Sequence, residues 1–107
     1  MSDRYGRTLR AVLDVHAERT RQHTLHGEQT LADGTAEAWD QVEADAARLR
    51  CDRATLAGSV TWRHVLEEEV AEAFAEADPV ALRAELVQVA AVAIQWIEAL
   101  DRRAQAG

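Results

Sequence analysis

An all-α fold, a four-helix bundle in a single domain over residues 1–107, is what this sequence predicts. Three observations predict it. Apolar residues recur three and four positions apart, which is the period of one helix face. No stretch alternates apolar and polar residues as a half-buried strand does. Gly27, Gly58 and the pair Asp78-Pro79 then divide the chain into four lengths that suit helices.

Helix one is expected over about 4–23, where Leu9, Val12, Leu13, His16 and Thr20 recur at helical spacing, with Gly27 marking a stop nearby. Residues 24–35, which include Gly27, Asp33 and Gly34, read as an ordered loop. Helix two is expected over about 36–57, with Trp39, Val42, Ala46, Leu49 and Leu56 inward and Gly58 as its C-terminal stop. Its alanine content makes it the least apolar of the four. Thr61 or Ser59 is the expected cap of helix three, which covers about 62–77. Asp78-Pro79 is a strong boundary: Asp caps well, and proline at the first helical position gives up an N–H that would be unpaired anyway. Helix four follows, from Pro79 to about Arg103.

Helix four carries a second message. Over 86–97 its only polar residues are Gln88 and Gln95. A helix that is apolar most of the way round is normally buried on most sides. A four-helix chain of this length has little material with which to surround it. The expectation is a homodimer or larger assembly in which helix four also packs on another subunit.

Composition bounds the partners. A net charge of −7 argues against a nucleic-acid polymer or an anionic membrane surface, both of which call for Lys/Arg clusters. Nucleotides stay open, because they can arrive as Mg²⁺ complexes. The one cysteine, Cys51, excludes an intrachain disulfide framework and a multi-cysteine zinc site, and reads as a small helix residue in a reducing compartment. The first residues, from Met1-Ser2-Asp3-Arg4, lack the apolar core of a signal peptide. The uncharged stretch 86–97 is too short by itself to cross a membrane. The expectation is a cytoplasmic protein.

The chemistry is concentrated in two four-residue segments, Glu69-Val70-Ala71-Glu72 and Glu85-Leu86-Val87-Gln88. Residues three apart on a helix lie on one face about a turn apart, so each pair can present two oxygens to one point. Glu69 falls within the helix-three stripe of Trp62, Val65, Leu66 and Ala73, and Glu72 lies at its edge. Glu85 sits beside Leu82, Val89, Val92 and Trp96, with Gln88 further round. Half-buried carboxylates repel one another and lose hydration, so a cation is needed among them. Few basic residues lie on these two helices, and Arg63, Arg83, Arg102 and Arg103 are near their ends. Glu67 points away and reads as solvated; Glu68 flanks Glu72. Oxygen donors between consecutive antiparallel helices suit a hard cation such as Mg²⁺, with Mn²⁺ as the alternative, and hence metal-assisted phosphate chemistry.

These residues resemble the MazG-like, all-α nucleoside triphosphate pyrophosphohydrolases, whose signature is ExxE followed by ExxD. Here it reads Glu69-Val70-Ala71-Glu72 and Glu85-Leu86-Val87-Gln88, with Gln88 replacing the family's aspartate. The similarity extends to an actinobacterial and phage-type subgroup through Glu18-Arg19-Thr20-Arg21-Gln22, His26-Gly27-Glu28-Gln29, Asp33-Gly34-Thr35, Thr61-Trp62 and the stretch from Leu82 to Ala91. It covers nearly the whole chain and is vaguest in helix two. The resemblance implies a four-helix core that dimerises, sometimes into tetramers. It implies Mg²⁺-dependent cleavage of a nucleoside triphosphate to a monophosphate and pyrophosphate. Carried over by position, Glu69, Glu72 and Glu85 bind metal, Gln88 occupies the fourth place, and Glu69 or Glu72 serves as the base. Gln88 removes one negative charge, which implies weaker metal binding or loss of a second metal.

Other residues are candidates for substrate contact. Arg19, Gln22 and Gln29 could hydrogen-bond phosphates or a base edge; the alternative for a cation at the end of helix one is stabilisation of the helix dipole. Trp62 and Trp96 are large apolar anchors, with base stacking as the alternative and Trp96 the candidate substrate contact. His16 and His23 lack the spacing of a zinc pair and read as core or site-lining residues, while His64 reads as a capping or surface residue. Asp33-Gly34-Thr35 is a turn and a candidate lid. Two rival functions stand beside the enzyme: a catalytically weak or inactive nucleotide- or metal-binding module, and a helical oligomeric interaction protein.

Overall fold

Side-chain caps begin the first, third and fourth helices, and left-handed glycines end the first and second. The computed structural model describes residues 3–106, and among these every regular element is helical: α1 (Arg4–His26), α2 (Asp40–Leu56), α3 (Trp62–Phe74) and α4 (Pro79–Ala106). Asp3 caps α1, its carboxylate accepting the Gly6 N–H at 2.7 Å. Gly27 closes the helix in a left-handed conformation, φ 66°, and donates its N–H to the His23 carbonyl. The helix therefore runs to His26, past the expected end at His23.

Helix α2 starts later than its sequence suggests. Ala36 stands at φ 60°, a left-handed conformation through which a right-handed helix cannot pass. Its N–H donates to the Phe74 carbonyl at 2.8 Å, and the Thr35 hydroxyl donates to the Glu76 carbonyl at 2.6 Å. The Asp33-Gly34-Thr35 segment is thus anchored at the C-terminal end of α3, where a helix leaves carbonyls unpaired. At the far end of α2, Gly58 (φ 72°) donates to Thr55 at 3.1 Å and Ser59 donates to Ala54 at 2.8 Å. Together these form a Schellman stop, as the glycine implies.

Thr61, not Ser59, caps α3. Its hydroxyl accepts the His64 N–H at 3.3 Å, while His64 Nδ1 accepts the Thr61 N–H at 3.1 Å. His64 thus completes a reciprocal cap. Asp78 caps α4 by accepting the Ala81 N–H at 2.9 Å, with Pro79 as the first helical residue.

The chain divides into two units, Asp33–Ala93 and Met1–Ala32 with Ile94–Gly107. In the first, α2 packs on α3. The seam consists of Ala44 and Ala47 from α2 and Ala71 from α3, with Ala75 against them. This reverses the expected face of α2: Ala44, Ala47, Cys51 and Ala54 are buried, while Trp39, Val42, Leu49 and Leu56 are exposed. Methyl side chains let two helix backbones close together, whereas the larger residues would hold them apart. Each alanine contributes little, on the order of 0.8 kcal/mol per buried methyl-sized group. Burial pushes the Cys51 thiol up, in keeping with an inert small residue.

In the second unit Ala11 is fully buried, and Leu9, Leu13 and Leu25 are more than half exposed. The Thr8 hydroxyl donates to a Glu98 carboxylate oxygen at 2.7 Å, tying α1 to the last part of α4. His16 and His23 are exposed, which corrects their reading as core residues. Along α4, Leu82, Val92 and Ala99 are buried, whereas Leu86 and Val87 are about half exposed. By length and composition alone this 28-residue helix reaches what a membrane crossing needs, which the stretch 86–97 did not, and little of its apolar window is buried within the chain. A helix covered by another subunit fits the same description.

Candidate metal centre

The unit Asp33–Ala93 brings the three glutamates together. Glu69 and Glu72 are a turn apart on α3, and Glu85 lies in the second turn of α4 beyond the Asp78-Pro79 boundary. One carboxylate oxygen from each lies within 4.8 Å of the others, and all three residues are half-buried. Oxygens on opposite sides of a bound cation stand about 4.2 Å apart for Mg²⁺ and up to about 5.2 Å for Ca²⁺. The spacing therefore suits hard divalent cations as a class. The donor set, all carboxylate oxygen, suits them too.

Electrostatics agree with the geometry. Burial, then the Glu72, Glu85 and Glu68 carboxylates, push the Glu69 carboxyl above its ordinary range. Burial, then Glu72 and Glu76, raise Glu85, against a lowering by Arg48. Neither Glu69 nor Glu85 takes part in an ion pair among the described residues. These are the charges a cation would relieve.

Glu72 differs. Arg48, on α2, donates from Nη2 to Glu72 Oε1 at 3.1 Å, and its Nε stands 3.8 Å from Glu68 Oε1. Sequence reasoning looked for basic residues on α3 and α4 and missed this one, which arrives from another helix. The signal was present but depended on the face of α2: Arg48 is four residues after Ala44, on the flank of the buried alanines. Arg48 also lines a pocket of about 190 Å³ together with Gln41, Ala44, Glu72, Ala75, Glu76 and Glu85. Glu69 is outside that lining.

The remaining expected residues are placed as follows. Gln88 is exposed, one turn along α4 from Glu85. Glu67 pairs with Arg63, four residues earlier on the same helix, as a solvated flank does. Arg19, Gln22 and Gln29 are exposed and Trp96 is half-buried, all in the unit that does not hold the glutamates. Arg19 Nη1 donates to the Gln22 side-chain oxygen at 3.0 Å, so these two bond to each other. No family model, curated protein or solved structure matches this chain.

Proposed function

We propose that the protein is a MazG-like, Mg²⁺-dependent nucleoside triphosphate pyrophosphohydrolase, converting a (deoxy)nucleoside triphosphate to the monophosphate and pyrophosphate. One observation carries the reading: Glu69, Glu72 and Glu85 present oxygens within 4.8 Å of one another from two consecutive helices. Their spacing in sequence is that of the family's ExxE and ExxD segments. When bound there, Mg²⁺ or Mn²⁺ supplies charge neutralisation for the triphosphate and a water of lowered pKa. The chain's own residues do the rest. Glu69, Glu72 and Glu85 would hold the cation, and Glu72 and Glu85 also line the pocket that would receive the phosphates. Glu69 or Glu72 takes the proton from the attacking water in this reading. Arg19, Gln22, Gln29 and Trp96 are the proposed contacts to the nucleotide.

The half-exposed Leu86 and Val87 on α4 and the exposed Leu9 and Leu13 on α1 support a homodimer or homotetramer in which these residues are covered. Such an assembly belongs to a cytoplasmic enzyme in this reading. Gln88 favours a second reading, a nucleotide- or metal-binding module with weak or no turnover. It is exposed and uncharged, so the centre holds three carboxylates where the family has four. Pyrophosphate release from a panel of nucleoside and deoxynucleoside triphosphates, with Mg²⁺ and with chelator, separates the readings. Release that depends on Mg²⁺ supports the enzyme. Mg²⁺-dependent thermal stabilisation without release supports the binding module, and indifference to Mg²⁺ in both assays overturns both.

A further inference from the structure

The proposed function assigns no role to Arg48, which lines the pocket. Among the residues lining it, Arg48 is the one cation, facing Glu72, Glu76 and Glu85. Its guanidinium bonds Glu72 at 3.1 Å, so it is held by one of the three carboxylates that would ligate the metal. A carboxylate shared between a divalent cation and a guanidinium is held less tightly by each. The Arg48 side chain is 59% exposed, and an ion pair between such groups is a weak one that solvent competes with. A divalent cation placed among three carboxylates has the stronger claim on Glu72. Once Glu72 turns to the cation, the guanidinium is left at the rim of the pocket with its donors open. A planar fork of N–H donors matches the oxygens of a phosphate, which it can bind in bidentate fashion.

We propose that Arg48 is a displaceable counter-ion and phosphate-binding residue: it holds Glu72 while the centre is free of metal, and passes to a phosphate oxyanion of the incoming metal–polyphosphate. This rests on the metal-binding reading of Glu69, Glu72 and Glu85 and adds to it the phosphate contact on the α2 side. Metal alone and metal with polyphosphate are then affected in opposite directions by loss of the guanidinium. Arg48 competes with the first and assists the second. A merely structural arginine would not produce that opposition.

The test is calorimetric titration of the full chain with Mg²⁺ alone, and of Mg²⁺-loaded protein with inorganic tripolyphosphate, comparing the wild type with Arg48→Gln and Arg48→Lys. Arg48→Gln is expected to bind Mg²⁺ alone roughly two- to five-fold more tightly, the scale of an exposed ion pair. It is expected to bind tripolyphosphate on the order of ten- to a hundred-fold more weakly, the scale of a charge-assisted hydrogen bond. Arg48→Lys keeps the charge and loses the fork, so Mg²⁺ affinity stays near wild type while tripolyphosphate affinity falls by less. Shifts of both affinities in one direction, or of neither, in a protein whose wild type binds Mg²⁺ through Glu69, overturn the role of Arg48 alone. A wild type that does not bind Mg²⁺, or a Glu69→Gln variant that binds it as well, overturns the metal reading and this proposal with it.

Discussion

The two units of the chain solve burial differently. In Asp33–Ala93, α2 and α3 close on a seam of alanines, and the carboxylates and Arg48 gather beside that seam. In the other unit Ala11 is fully buried on α1, yet Leu9, Leu13 and Leu25 on the same helix stay more than half exposed. One region is closed by small residues, with its acidic groups and Arg48 gathered beside them. Both leave large apolar residues exposed, Trp39, Val42 and Leu56 in the first and Leu9, Leu13 and Leu25 in the second. The contrast teaches that closeness of packing, not size of the apolar side chains, positions the candidate centre.

The sharpest way to break that contrast is at the centre itself. Glu72→Gln should reduce Mg²⁺-dependent pyrophosphate release at least a hundred-fold, the low end of what a group acting in proton transfer or metal positioning contributes. It should also remove the thermal stabilisation by Mg²⁺, which in the wild type is about 2.7 kcal/mol at a hundred times the dissociation constant. Far-ultraviolet circular dichroism should show the helices intact. Full activity in this variant would remove Glu72 from the site.

Next comes the seam. Ala47 is almost fully buried, so Ala47→Leu should destabilise by about 1–3 kcal/mol through overpacking. At about 4–8 °C per kcal/mol for a chain of this size, a melting curve resolves the change. Ala17→Leu on the exposed side of α1 is the counterpart and should stay within about 0.5 kcal/mol. Equal losses at both positions would erase the distinction between the units.

Acidity sharpens the comparison further. Glu69 and Glu85 are raised in the folded protein, so folding favours their protonated forms. Their contribution to stability is fully present below the ordinary carboxylate range and is lost as pH rises through their folded values. Without metal, the double variant Glu69→Gln, Glu85→Gln should therefore melt higher than the wild type at pH 7, and the gap should close as pH falls through their folded values. Melting temperatures in chelator across that range check the sign. A gap that widens on acidification would show that these carboxylates are stabilised as anions.

The smallest effect is expected at Ala36. Its left-handed conformation costs a residue with a Cβ about 1–2 kcal/mol, and the greater chain entropy lost by glycine offsets about half of that. Ala36→Gly should raise stability by a few tenths to about 1 kcal/mol, read as a small upward shift in a chelator-containing melt.

Much of the fold was legible in the sequence, for local reasons. Gly58 and Asp78-Pro79 fix helix ends through backbone chemistry that needs no distant partner, and the structure places stops and caps there. Ala36 was not legible, because alanine favours helix and its conformation is held by hydrogen-bonding to Phe74, far along the chain. The buried face of α2 was misread because size was taken as the mark of burial, and in a close helix pair the smallest residues face inward. That error concealed Arg48. The glutamates were legible because the three-residue period places Glu69 and Glu72 on one face whatever surrounds them, and the short turn at Asp78 brings Glu85 back alongside.

Ala44 belongs to two structures at once. It is part of the seam between α2 and α3, and it forms a wall of the pocket that Arg48 and Glu72 share. Ala75 is in the same position. A change at either residue alters the thickness of the joint and the width of the pocket together, so neither can drift in one respect while holding the other. Variation across this chain should accordingly be sparse at these two alanines, which carry no functional group, and freer at polar residues such as Glu67, whose chemistry is more conspicuous but whose pairing with Arg63 is made at the surface.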